Sequence, residues 1–153
     1  MNFCPLTSFL QWWMQSRALV PPQESIMNAD GNITGCVIYR DGEYQVQLFI
    51  VQPNSVIEPH IHPNVDSFEV YVSGDIAFSI NGTLYSQSEV SEGKVLRVRP
   101  NDWHGGVFGP RGGVFLSVQR WENGVSPTSV GDDWQDKQGN TKGKSVSLGA
   151  AIA

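Results

Sequence analysis

The chain has 153 residues, of which 40% are hydrophobic and 16% charged, and its net charge is −5. This length suits one domain with a single packed core. The acidic balance and the absence of a basic run argue against nucleic acid as a partner, since phosphate is bound by Lys and Arg. No apolar stretch approaches the ~20 residues of a membrane span, and no basic segment precedes an uninterrupted apolar one at the N-terminus. We therefore expect a cytoplasmic protein that binds neither nucleic acid nor membrane.

Residues 6–19 (LTSFLQWWMQSRAL) are predicted to form a short helix, because their aromatic and aliphatic residues recur near helical spacing. Pro21 and the proline after it end the helix. Arg17 is its only basic residue, so we expect the helix to dock on the domain or on a partner subunit and not on a membrane surface. Residues 1–30 are assigned to this helix and a linker.

From residue 33 onward, apolar and polar residues alternate with a period of two, which is typical of strands. The pairs Asp41-Gly42 and Asn81-Gly82 are predicted hairpin turns. Strands are predicted at 33–40, 44–52, 67–74, 75–82, 83–90, 94–100 and 112–121. A tight turn is predicted around Pro110, because four glycines lie near it: Gly105, Gly106, Gly112 and Gly113. About eight short strands with closely spaced turn signals predict an all-β sandwich or barrel over residues 31–121.

The composition changes after Trp121. Residues 122–153 are rich in Gly, Ser, Asp and Lys, and Trp134 is their only large apolar residue. We expect this segment to be an extended C-terminal tail, either partly disordered or packed on a neighbouring molecule.

The chemistry of the chain centres on its three histidines. His60 and His62 are two residues apart, so on a strand their imidazoles lie on the same face. His104 follows a later predicted strand, and a closed barrel would bring it beside the first pair. Imidazole nitrogens bind divalent transition metals, so the three predict one metal site. Structural histidines with ordinary hydrogen bonds are the alternative explanation.

Two segments resemble the histidine motifs of the cupin superfamily. PHIHPNVDSFEVYVSGDIAFSING has the histidine pair, an acid and a hairpin glycine of the first motif, and GKVLRVRPNDWHGG has the glycine, proline and histidine of the second. The resemblance covers residues 33–121. It implies a jelly-roll-like double-stranded β-helix barrel, commonly a homodimer, with metal and small-molecule ligand inside. It also implies that His60, His62 and His104 bind the metal, which we expect to be Fe, Mn, Ni or Zn.

The first motif departs from the family pattern at its acid. Counting from both ends of the motif places the family's glutamate at Ser67, whereas Asp66 comes one residue early and Glu69 two residues late. Glu69 shares a strand face with position 67, so its carboxylate is predicted to point inward. Which of the three residues replaces the glutamate is left open. Glu69 and, on the same face, Tyr71 are also candidate catalytic groups for proton transfer; the alternative is a solvated Glu69 and a Tyr71 in the core.

Other polar residues of the predicted strands allow two interpretations. Arg97 and Arg99 share a strand face, and we expect them to pair with surface acids in preference to binding an anionic ligand. Gln45 and Gln47 alternate with apolar residues, so they face either the barrel interior or water.

Two classes of function fit these features. A divalent-metal protein that binds or acts on a small molecule is favoured by the three histidines, but fold alone does not choose a reaction. The alternative is a non-catalytic cupin with a structural or assembly role. The aromatic N-terminal helix and the tail segment NGVSPTSVGDDW both suit packing on other subunits, which favours that alternative. The tail also resembles segments of phage-encoded cupin-like proteins. The sequence leaves open whether the protein is an enzyme.

Overall fold

The computed structural model describes residues 27–29, 32–91, 95–141 and 145–147. The helix predicted for residues 6–19 and the last part of the predicted tail lie outside these ranges. Within them, no helix has the length and apolar character that crossing a membrane requires.

The described chain is built almost entirely of antiparallel strands, as the sequence predicts. The strands are β1 (Met27–Ala29), β2 (Ile33–Asp41), β3 (Tyr44–Val51), β4 (Ser55–Ile61), β5 (Val65–Ile80), β6 (Thr83–Tyr85), β7 (Val95–Val98), β8 (His104–Trp121), β9 (Gln135–Asp136) and β10 (Ser145–Ser147). One short helix, α1 (Gln87–Ser91), and one 3-10 turn (Val130–Asp132) accompany them.

Two long strands, β5 and β8, connect the two layers of the barrel. The second half of β8 pairs with β3 on one side and with the first half of β5 on the other. The first half of β8 pairs with β4 and with the second half of β5. Both strands therefore leave one layer and enter the other, while β2 extends the first layer and β9 and β10 pair with β4 in the second.

The strands change layer at glycines. In β5 the register shifts on both sides of Gly74, whose φ is +94°, and Gly112 of β8 has a φ of +63°. A Cβ at Gly74 would overlap the carbonyl oxygen of Gly112. β8 continues from His104 to Trp121, but it bulges around Pro110: Phe108 pairs with Ile76 and Gly113 with Gly74, so residues 109–112 have no partner in β5. The predicted tight turn is therefore a bulge within one long strand, which the Gly and Pro content of this stretch allows.

The predicted strand at 83–90 is also shorter than expected. It ends at Tyr85, and α1 follows. The backbone N–H and the hydroxyl of Ser86 both donate to the carboxylate of Glu89, at 2.7 and 2.8 Å. The bond from the Ser86 N–H is the glutamate half of a capping box, an arrangement found where helices start.

The core contains side chains from both layers and from the segment that follows the barrel. Phe49 and Phe115 stack with their centroids 5.1 Å apart, and Phe108 is fully buried. Val130 and Trp134, each only 7% exposed, belong to the same cluster. The described part of the predicted tail therefore packs on its own barrel, where these two apolar side chains insert.

Candidate metal centre and adjoining cavity

The barrel brings the three histidines together. His60 lies on β4 and is the cross-strand partner of His104, the first residue of β8. His62 follows β4 by one residue and lies on the same side as His60. Both members of this pair are buried, at 4% and 7% exposure.

One ring nitrogen from each of His60, His62 and His104 lies within 4.8 Å of the other two. The ring centroids are 4.2 Å apart for His60 and His104, 4.8 Å for His60 and His62, and 5.1 Å for His62 and His104. In the described part of the chain, these three side chains form the one such cluster of metal-binding groups. Neither Asp66 nor Glu69 belongs to it.

Backbone carbonyls determine which nitrogen of each ring is free. His60 Nδ1 bonds to the carbonyl of Glu58 at 2.7 Å, and His104 Nδ1 to that of Asp102 at 2.9 Å. His62 Nδ1 bonds to the carbonyl of Asp133. A carbonyl oxygen only accepts hydrogen bonds, so each Nδ1 carries the proton and donates it. Each Nε2 therefore keeps its lone pair, which is the arrangement that carbonyl partners give to metal-binding histidines.

The three rings are neutral at neutral pH. Burial lowers the pKa of His60 well below 6.5, and the neighbouring His104 and His62 lower it further. Burial, followed by the effect of His104, lowers the pKa of His62 to about 3. Burial also lowers the pKa of His104 to about 4. Neutral imidazole is the form that binds metal, so little proton release opposes binding at pH 7.

Two residues that the sequence did not assign to the site come from the segment after the barrel. The indole of Trp134 stacks on His60 with centroids 3.4 Å apart and planes 10° apart. Asp133 contributes in two ways. Its backbone carbonyl holds His62. Its carboxylate accepts from Asn64, at 2.8 Å from the backbone N–H and at 2.7 Å from the side-chain amide. These bonds fix the segment against the loop that follows the histidine pair.

A cavity of about 70 Å³ adjoins the histidines. Its polar lining consists of the three histidines with Ser67, Glu69, Ser79 and Ser117. Its apolar lining comes from Ile33, Phe49, Ile57, Phe78, Ile80, Leu96, Val98, Phe115, Val130 and Trp134. This volume exceeds what one water molecule needs, and a mostly apolar lining with few polar groups is typical of small-molecule sites.

Glu69 is the one carboxylate that lines this cavity. Its Oε1 accepts from the hydroxyls of Ser67 at 2.7 Å and Ser117 at 3.0 Å. Burial raises the pKa of Glu69 to about 7, although both serine hydrogen bonds act to lower it. Glu69 thus points inward as predicted, and Ser67, which occupies the family's glutamate position, holds it in place.

The other candidate residues lie outside the cavity. The Tyr71 hydroxyl donates to the carbonyl of Gly74 at 3.0 Å, and Tyr71 is not part of the lining. Asp66 faces outward and forms a salt bridge with Arg97 at 2.7 Å, as expected for an arginine that pairs with a surface acid. The barrel does not bring Tyr71 to the histidines.

The glutamines of β3 face inward and form a buried network with Gln119. Gln45 and Gln47 are 0% exposed and Gln119 is 1% exposed. Gln45 Nε2 donates to Gln119 Oε1 at 2.9 Å, and Gln119 Nε2 donates to Gln47 Oε1 at 3.1 Å. The same network holds the following segment, since Gln45 Nε2 donates to the carbonyl of Thr128 and Gln47 Oε1 accepts from the N–H of Val130. It therefore helps to place Trp134 and Asp133 at the histidines.

Comparison with known proteins identifies the fold. No family model and no curated protein matches the sequence. Among solved structures, KdgF from Halomonas sp. aligns with a TM-score of 0.56 and 14% identity over 65% of this chain and 88% of its own. An RmlC-like cupin from Shewanella frigidimarina aligns at 0.53 and 17% over 67% and 87%. The DMSP lyase DddQ from Ruegeria pomeroyi aligns at 0.62 and 12% over 84% and 70%.

At these identities the likeness shows the fold and not the activity. The protein has the double-stranded β-helix fold of the cupin superfamily, as the two histidine motifs predict.

Proposed function

We propose that this protein binds one divalent metal ion through His60, His62 and His104, and that it binds or acts on a small molecule in the adjoining cavity. The observation that carries the proposal is that one ring nitrogen of each histidine lies within 4.8 Å of the other two, while the carbonyl bond at each Nδ1 leaves each Nε2 with its lone pair. Three neutral nitrogen ligands suit Fe, Ni or Zn, and Mn less strongly.

A bound ion of this kind would supply a Lewis acid with open coordination positions. The protein's own residues prepare the surroundings. The apolar side chains exclude water from most of the cavity, and Trp134 keeps the His60 ring in one orientation. Glu69 is able to exchange a proton near neutral pH, which is the range that general acid–base groups require.

Metal binding is tested with full-length protein that is first freed of metal by dialysis against EDTA and then titrated with Zn²⁺ and Co²⁺. We expect one ion per chain, and for Co²⁺ the visible absorption of a site with nitrogen ligands. His60→Ala and His104→Ala should each weaken binding by at least tenfold. Since the chain has three histidines in all, histidine-dependent binding can arise only from this cluster.

Asp66→Asn is the matched control, because the Asp66 carboxylate pairs with Arg97 on the outer face. It should bind metal as the wild type does. Wild-type protein that takes up no ion, or histidine variants that bind as tightly as the wild type, would overturn the proposal.

The alternative of a non-catalytic cupin with a structural or assembly role predicts a folded and assembled protein that needs no metal. Metal-free protein with unchanged unfolding temperature and sedimentation coefficient after His60→Ala would favour it. The homodimer expected from the family resemblance stays a prediction, which the same sedimentation measurement tests.

A further inference from the structure

Glu69 is held through only one of its two carboxylate oxygens. Oε1 accepts from Ser67 and Ser117, and among the described residues no donor reaches Oε2. Glu69 is only partly buried, and it lines the cavity. A carboxylate oxygen accepts two hydrogen bonds, so Oε2 is an acceptor offered to a ligand.

Among the residues that the structure describes, no positively charged side chain pairs with Glu69. The cavity lining contains no Lys or Arg. The arginines nearest in the sheet register are paired on the outer surface, where Arg97 binds Asp66 and Arg120 binds Glu122. Glu69 is partly withdrawn from water, and a carboxylate without a counter-charge is costly in such a site. A positively charged ligand would remove that cost.

The rest of the lining also favours a cation. Phe49, Phe78, Phe115 and Trp134 all line the cavity, and aromatic faces attract positive charge. The remaining apolar residues fit a hydrocarbon body. The small volume restricts the ligand to a compact molecule.

We propose that the ligand of this cavity is a small organic cation with a protonated nitrogen, which Glu69 binds through Oε2. This inference rests on the proposed use of the cavity as a ligand site, but it does not depend on the metal. It gives Glu69 a binding role besides the acid–base role proposed above.

The test uses three probes of similar shape: isobutylammonium, isobutanol and isobutyrate. Full-length protein is kept metal-free with EDTA, so that no probe binds through an ion, and dissociation constants are measured by NMR titration at pH 8. Charge-assisted hydrogen bonds contribute about 1.5–3 kcal/mol, so we expect isobutylammonium to bind about 10 to 100 times more tightly than isobutanol. Isobutyrate should bind most weakly.

Glu69→Gln should remove the preference for the ammonium, while the amide oxygen still accepts from both serines and preserves the fold. Asp66→Asn should retain the full preference, since it changes a carboxylate on the other face of the same strand. A second readout is the carboxyl ¹³C shift of Glu69 at pH 6, which should move to the ionised value as isobutylammonium binds.

Three results would overturn the proposal: equal affinity of the wild type for ammonium and alcohol, an unchanged preference in Glu69→Gln, or no binding of any probe. Metal binding is read out separately. A Glu69→Gln protein that loses the preference and still binds one ion supports both proposals. A wild-type protein that shows the preference but takes up no ion supports this inference alone.

Discussion

The imidazole of His60 lies flat against the indole of Trp134, with ring centroids 3.4 Å apart. On its other side, His60 approaches His104, whose centroid is 4.2 Å away. The ring is thus enclosed by a tryptophan from the segment after the barrel and by a second candidate ligand. This contact links the segment that follows the last barrel strand directly to the candidate metal centre.

Trp134→Ala should lower the free energy of unfolding by about 3–5 kcal/mol, the range for removing a buried large aromatic side chain. It should also weaken metal binding, since His60 loses the surface that orients it. Trp134→Phe is the matched control: it keeps an aromatic ring, and the indole N–H that it removes has no acceptor among the described residues. Urea unfolding and Zn²⁺ titration check both effects. Equal losses in the two variants would contradict a role for ring stacking.

Glu69→Gln should stabilise the metal-free protein in a pH-dependent way. Burial raises the pKa of Glu69 from 4.5 to about 7, so the folded state holds this proton more tightly than the unfolded state does. Wild-type stability therefore falls as pH rises from about 4.5 to 7, by on the order of 3 kcal/mol. Glutamine does not titrate, so the variant gains on the wild type across that window. Urea unfolding at pH 4.5, 6 and 8 measures this, and a constant difference would refute it.

The histidines should produce the opposite pH dependence. Because the pKa of His62 is about 3 and that of His104 about 4, the unfolded state binds more protons below pH 6.5. Stability of the metal-free protein is then fully present above pH 6.5 and is lost as pH falls. In His62→Gln the slope between pH 6 and 4 should be smaller by about 1.4 kcal/mol per pH unit. An unchanged slope in acid unfolding would show that His62 is already charged when folded.

Gln119→Leu should cost about 1–3 kcal/mol for each buried donor that it leaves unpaired. Gln119 Oε1 accepts from Trp121 Nε1 at 3.1 Å as well as from Gln45. The indole N–H loses its acceptor in the variant, whereas Gln45 Nε2 keeps the Thr128 carbonyl. Gln52→Leu is the control, because Gln52 is exposed and should change stability by less than about 0.5 kcal/mol. Chemical denaturation compares the two. A similar small effect in both would mean that the network relaxes around the loss.

Gly74→Ala should prevent the barrel from forming. The residue has a φ of +94°, and its Cβ would overlap the Gly112 backbone where the two long strands change layer. Gly42→Ala separates the two causes, because Gly42 has a φ of +58° but no atom near the added carbon. That control should cost only about 1–2 kcal/mol of backbone strain. Circular dichroism and the yield of folded protein check this, and a folded Gly74→Ala protein would contradict the overlap.

The histidines could be assigned from the sequence because their evidence is local. His60 and His62 share a face through strand alternation alone, and the motif around His104 supplies the third position. Asp133 and Trp134 carry no such local pattern, since the bond from His62 to Asp133 joins positions 71 apart. The continuation of β8 through the bulge at Pro110 was missed for the same reason, since its pairs with β5 on either side of the bulge join positions far apart in the chain.

The candidate site therefore joins two separate stretches of one chain. β4 with the residue after it and β8 supply the three imidazoles, and the later segment supplies the Asp133 carbonyl that orients His62 and the Trp134 indole against His60. A chain truncated after Trp121 would keep every imidazole and lose both of these supports.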